Sequence, residues 1–144
     1  MHTVVTARAR SSAPPAAFFA RWADLDSWPE WDTAVAWGRL DGPFAVGTTG
    51  ELKPARGPKV RFVIETLEPG REYTDVSTMP GARLWIRHLV RTDDAGTEVE
   101  VQVSLDGPLA RVWGVVLGRQ LSRSTVAGLD RLVVVAEADA AARP

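Results

Sequence analysis

The feature that most constrains this chain is its C-terminal segment. Almost everything before residue 106 reads as strands and turns. Asp106-Gly107-Pro108 then ends the strand run, and an amphipathic stretch continues from Leu109 to about Ala138. Proline suits a helix entrance, because its missing N–H is not needed there and its φ is preset. Asp106 or Gly107 can act as the N-cap. Trp113, Leu117, Leu121, Gly128, Leu132 and Val135 recur at the spacing of one helical face. A single long helix after a run of strands is expected to lie across the concave face of their sheet. Helix and sheet would then enclose a space, which makes small-molecule binding the first functional expectation.

The strands are punctuated by Gly, Pro and Asp. Thr3–Arg10 is the first. Ser11-Ser12-Ala13-Pro14-Pro15 opens a short helix over Ala16–Trp22, and Asp24 caps a second over Leu25–Trp28, ended by Pro29. Six strands are predicted next: Thr33–Leu40, Thr48–Lys53, Lys59–Leu67, Arg71–Thr78, Ala82–Thr92 and Thr97–Leu105. In the last, Val99, Val101, Val103 and Leu105 alternate with Glu98, Glu100, Gln102 and Ser104, the signature of a strand with one buried and one wet face. Short turns between successive strands favour antiparallel pairing. The expectation is one α+β domain over residues 1–138, with a frayed tail at 139–144.

Composition narrows the function. The chain has 144 residues, enough for a single well-buried core. With no cysteine, disulfides, thiolate metal sites and cysteine nucleophiles are excluded. Net charge is -1 and the basic residues are scattered, which argues against nucleic acid. No apolar run reaches the ~18 residues of a membrane span, so no stable membrane insertion is expected. No signal-peptide pattern opens the chain. The expected protein is cytoplasmic, monomeric or homodimeric, without cofactor or metal.

Familiar catalytic motifs are absent: there is no GxSxG, HExxH or P-loop. His88 stands out. It shares a parity with Leu84, Ile86 and Val90, whereas Arg87 and Arg91 mark the opposite face as wet. An inward imidazole must find a partner and titrates near neutrality, so it is either a hydrogen-bonded core histidine or an acid–base group. Tyr73 and Asp75 share one parity on the preceding strand, and Glu51 lies two strands earlier; the weak alternation there leaves their direction open. On the helix, Trp113, Leu117, Gln120 and Ser124 would border a cavity near its start, or simply pack as core. A second apolar row, Val115, Val126, Leu129 and Val133, marks either a dimer contact or a helix buried on more than one side.

Several segments together resemble a known family. Trp28-Pro29-Glu30-Trp31-Asp32 follows the Pro-started helix; His88, Gly96-Thr97-Glu98-Val99, Asp106-Gly107-Pro108-Leu109-Ala110 and Leu117-Gly118-Arg119 follow in order. This pattern is similar to the START-like, or SRPBCC, superfamily in its polyketide cyclase/dehydrase group. The resemblance implies a helix-grip fold: seven antiparallel strands wrapped around the C-terminal helix, two short helices after strand 1, and a deep apolar cavity between. It implies a wall built from Trp28, Trp31, Phe62, Ile64, Ile86, Val101, Val103, Trp113, Leu117, Gln120, Leu121 and Ser124. Aromatic polyketide cyclases of this type use a cavity Tyr and Arg, whose positions fall here at about Val35 and near Thr66 or Leu67. Two functions are therefore expected: binding of a small polyketide-, aromatic- or lipid-like molecule, or cyclase/dehydratase chemistry resting on His88 with Tyr73 or Asp75.

Overall fold

The computed structural model describes residues 1–142. Strand β1 (His2–Ser11) leads into helix α1 (Pro15–Ala23) and a 3-10 helix (Leu25–Glu30). Strands β2 (Val35–Leu40), β3 (Thr49–Pro54), β4 (Val60–Glu68), β5 (Glu72–Met79), β6 (Ala82–Asp93) and β7 (Gly96–Asp106) follow, and helix α2 (Ala110–Ala142) ends the chain. The strands form one antiparallel sheet in the order β1-β7-β6-β5-β4-β3-β2. This is the helix-grip architecture.

The topology positions α1. Because β1 and β2 are opposite edges of the sheet, the segment joining them must cross from one edge to the other. It does so over the concave face, burying Phe18 and Trp22. The 3-10 helix is closed by Trp28, whose indole N–H reaches the carbonyl oxygens of Arg21 and Trp22 at 3.1 and 3.3 Å.

Strand alternation separates an apolar concave face from a charged outer face. Val99, Val101, Val103 and Leu105 are buried, as are Phe62 and Ile64 across the sheet. Outside, Arg8 pairs with Glu100, Arg87 with Glu72 and Arg83 with Asp106. Two glycines are sterically required. A Cβ on Gly50 would meet the Arg39 carbonyl oxygen and the Phe62 ring at 2.5 Å each, and Gly107 turns the chain into α2 with φ at 102°.

Helix α2 packs unevenly. Gly128, Leu129, Leu132 and Ala136 are buried in its second half, where the Asp32 carboxyl packs beside Gly128. In the first half only Ala110 is buried, and Trp113, Leu117 and Leu121 are half-exposed. The helix continues through Ala142, past the expected end at Ala138. Its final turns are tied down: Arg21 donates to both Asp139 carboxylate oxygens at 2.6 and 2.9 Å, and Ser11 Oγ donates to Glu137 at 2.8 Å. Of the expected tail, residues 143 and 144 lie outside the described residues. The second apolar row is divided: Leu129 is buried and Val133 half-buried, while Val115 and Val126 face solvent.

The asymmetry has a measurable consequence. Leu132→Ala should cost about 2–5 kcal/mol, the usual range for a buried leucine. Val115→Ala, on a side chain 87% exposed, should change stability by less than about 0.5 kcal/mol. Urea denaturation of the two variants provides the comparison.

Candidate functional site

The β5–β6 register decides what the concave face presents. Asp75 pairs with Ile86 and Tyr73 with His88. The side chains sharing Ile86's parity point inward, so Tyr73, Asp75 and His88 lie together on the concave face. All three are buried. The Tyr73 hydroxyl donates to Asp75 Oδ2 at 2.6 Å. His88 Nδ1 lies 2.9 Å from the Tyr73 carbonyl oxygen, and the two rings stack at 4.6 Å with planes 13° apart. Glu51 has the opposite parity. It lies outside, bonded to Arg39, with Lys59 at 3.6 Å and Arg61 at 3.8 Å.

The carbonyl oxygen of Tyr73 can only accept, so Nδ1 carries the imidazole proton. Nε2 then holds a lone pair, with no hydrogen-bond partner among the described residues. Burial pushes His88 down to about 4, against a smaller upward pull from the Tyr73 carbonyl, and keeps it neutral at pH 7. Burial raises Asp75 to about 7, partly offset by the Tyr73 hydroxyl. The Tyr73 phenol is pushed well above its ordinary value, by burial first and Asp75 second.

His88 does not face α2. Its ring lies 4.8 Å from Trp22 of α1, which also packs 5.9 Å from Tyr73. The crossing helix thus roofs the cluster. On another side stands Phe44, 5.0 Å from the Tyr73 ring. Phe44 belongs to the loop between β2 and β3, and it also lines a surface cleft of about 430 Å³ with Ala23–Asp26 and Arg39–Leu40. One aromatic ring therefore separates the cleft from Tyr73. The sequence carries little sign of this, because Phe44 lies in a turn. A larger cleft, about 470 Å³, lies between the start of β1 and Gly114–Arg123 of α2 and includes none of the three cluster residues.

The remaining expected residues divide into three groups. Trp28, Trp31, Phe62, Ile64, Val101 and Val103 form part of the buried core, with the Trp31 indole N–H left without a partner. Ile86, Trp113, Leu117, Leu121 and Ser124 are half-exposed, and the Trp113 N–H is taken by the Pro80 carbonyl at 2.8 Å. Gln120 points to solvent. That is a correction to its expected place on the wall: it lies just beyond the edge of the inner helical stripe.

An antiparallel seven-stranded sheet gripping a C-terminal helix is the architecture of START-like (SRPBCC) proteins. The chain belongs to the polyketide cyclase / dehydrase and lipid transport family, whose sequence profile matches residues 2–137. No curated protein matches the sequence significantly. Among solved structures, the fold is similar to protein MLL2253 from Mesorhizobium loti, at 15% identity and a TM-score of 0.69, covering 91% of this chain and 94% of that one. It is similar to the di-domain ARO/CYC StfQ of the steffimycin biosynthetic pathway, at 13% identity and a TM-score of 0.79, covering 97% of this chain and 52% of StfQ. It also resembles Ara h 8.0201, at 17% identity and a TM-score of 0.64, with 99% of each chain covered. These likenesses concern the fold.

Two opposed pH effects follow from the buried cluster. Between about pH 4 and 7 the folded protein keeps the Asp75 proton that the unfolded chain releases, so this group lowers stability as pH rises. Between about pH 4 and 6.5 the unfolded chain protonates His88 while the folded protein does not, so this group raises stability with pH. Relative to the parent, Asp75→Asn should gain stability as pH rises from 4 to 7, and His88→Gln should lose it from 4 to 6.5. Chemical denaturation across that range tests both, and parallel profiles for all three proteins would contradict the assignment.

Proposed function

We propose that this protein binds a small hydrophobic molecule between its sheet and helix α2, with the polar end of the ligand at Tyr73, Asp75 and His88. One observation carries this reading. Leu84 and Ile86 on the concave face, and Trp113, Leu117 and Leu121 on α2, are left half-exposed, while Gly128, Leu129, Leu132 and Ala136 in the second half of the helix are buried. Apolar side chains on facing elements would gain by further burial, at about 25 cal/mol per Å². An apolar ligand supplies that burial. The family profile and the helix-grip fold support the reading.

A second reading is a cyclase- or dehydratase-type enzyme. It is favoured by His88 Nε2, an unprotonated and unpartnered base in a buried site. Such a base can take a proton from carbon next to a carbonyl, while a protonated Asp75 donates to the enolate oxygen that forms. The bound geometry would hold the reacting chain near its closing conformation. Val35, Thr66 and Leu67 stand where aromatic polyketide cyclases carry their Tyr and Arg, so any such chemistry here would fall to the His88 cluster.

Nile red, an uncharged apolar dye, tests the binding reading. Its emission should shift to the blue on mixing, and a ligand at a hundredfold excess over Kd should add about 2.7 kcal/mol to stability. Leu121→Trp should fill the interior and weaken dye binding at least tenfold. Unchanged binding in that variant would place the dye elsewhere, and no binding by any apolar compound would reject the reading. Turnover lost in His88→Gln with ligand affinity retained would instead favour the enzyme.

A further inference from the structure

Among the described residues, the interior carries carboxyl groups but no cation to match them. Asp75 is buried with the Tyr73 hydroxyl as its hydrogen-bond partner. Asp32, half-buried beside Gly128, accepts the Ala34 backbone N–H at 3.0 Å. Neither has a guanidinium or ammonium partner. Every lysine and arginine on the seven strands has the outward parity, and most are already held by outer-face carboxylates. Arg21 of α1 is bonded to Asp139 and Glu30, and the arginines of α2 are exposed. The cleft that ends on Phe44 continues the pattern. Asp24 and Asp26 are exposed on its rim, and its Arg39 is bonded to Glu51.

We infer that this interior rejects anionic head groups and selects apolar ligands whose polar end donates a hydrogen bond, a phenol or alcohol rather than a carboxylate or phosphate. The inference rests on the binding reading above and gives it a substrate class. An anion entering here would lose its water and meet the Asp75 carboxyl with no opposite charge, the arrangement that makes buried charge most costly. A hydroxyl meets a matching acceptor. His88 donates Nδ1–H to Tyr73, so its Nε2 presents a lone pair, and Asp75 supplies further acceptor capacity on the same face. At pH 7.5, above the value of about 7 for Asp75, the Tyr73 hydroxyl is committed to the Asp75 carboxylate, so the donor needed to complete the network must come with the ligand. A site that offers acceptors to a ligand hydroxyl discriminates strongly against analogues that cannot donate.

A matched pair of probes with the same ring system tests this. 2-Naphthol is uncharged at neutral pH and 2-naphthoate is an anion. Isothermal titration at pH 7.5 should show naphthol binding at least tenfold more tightly, a difference of about 1.4 kcal/mol. Naphthalene, lacking the donor, should bind more weakly than naphthol. Asp75→Asn removes one interior carboxyl and should narrow the naphthol-to-naphthoate ratio at least threefold. Equal affinities, or a preference for naphthoate, in the unaltered protein would overturn the selection rule while leaving the binding reading intact. Failure of all three compounds alongside failure of Nile red would overturn both. The ratio in the unaltered protein decides the question even if Asp75→Asn does not fold.

Discussion

His88 can be buried in this fold because the carbonyl of Tyr73 accepts its Nδ1 proton. That one bond fixes the tautomer, aligns the imidazole against the Tyr73 ring and leaves Nε2 with a lone pair. It also requires an unbroken β5–β6 register, since the residue that accepts the proton is paired with the histidine across the two strands. Trp22 then covers the pair, and the crossing of α1 from one sheet edge to the other puts Trp22 there. A slip of one residue between the strands would turn the stacked rings to opposite faces. The cluster is thus a product of sheet register and topology together.

Much of the architecture was legible because alternation and turn chemistry agree along the chain. The period-2 run from Glu98 to Leu105 declares its buried face, and Arg87 and Arg91 similarly mark the outer face of β6 and turn His88 inward. Strand β5 gave no such reading. Glu72 and Thr74 on one face are as polar as Asp75 and Ser77 on the other, so only pairing with Ile86 settles which side is buried. The contact of Trp22 with His88 joins residues far apart in sequence, and no local pattern announces it. Helix α2 is hard to read for a different reason. Its inner stripe is partly built from Ala110, Gly114 and Gly128, while valines at 112, 115 and 116 face solvent. Side-chain hydropathy is then a poor guide to which face is buried.

The family supplies a fold on which different sites are built. In this chain the polar groups of the concave face are gathered under α1, away from the long helix that dominates the sequence. Asp75 and His88 are both displaced toward their uncharged forms by the same desolvation, an acid raised and a base lowered. Their neutrality keeps the interior compatible with apolar surroundings, and their opposed pH dependences partly compensate each other. A polar cluster can therefore persist at the core without making folding strongly sensitive to acidity.

The ties at the end of α2 bear on which part of the helix is held most firmly. Arg21 and Ser11 anchor Asp139 and Glu137, and the buried side chains from Gly128 to Ala136 seat that half of the helix. The other end is held by Ala110, the turn at Gly107 and the hydrogen bond from Trp113 to Pro80. A beam held at both ends is weakest in its span. No residue from Leu117 to Ala127 is buried, so the middle of the helix, between the Trp113 tie and the seated half, is where it is least held, and the anchored half is its fixed reference.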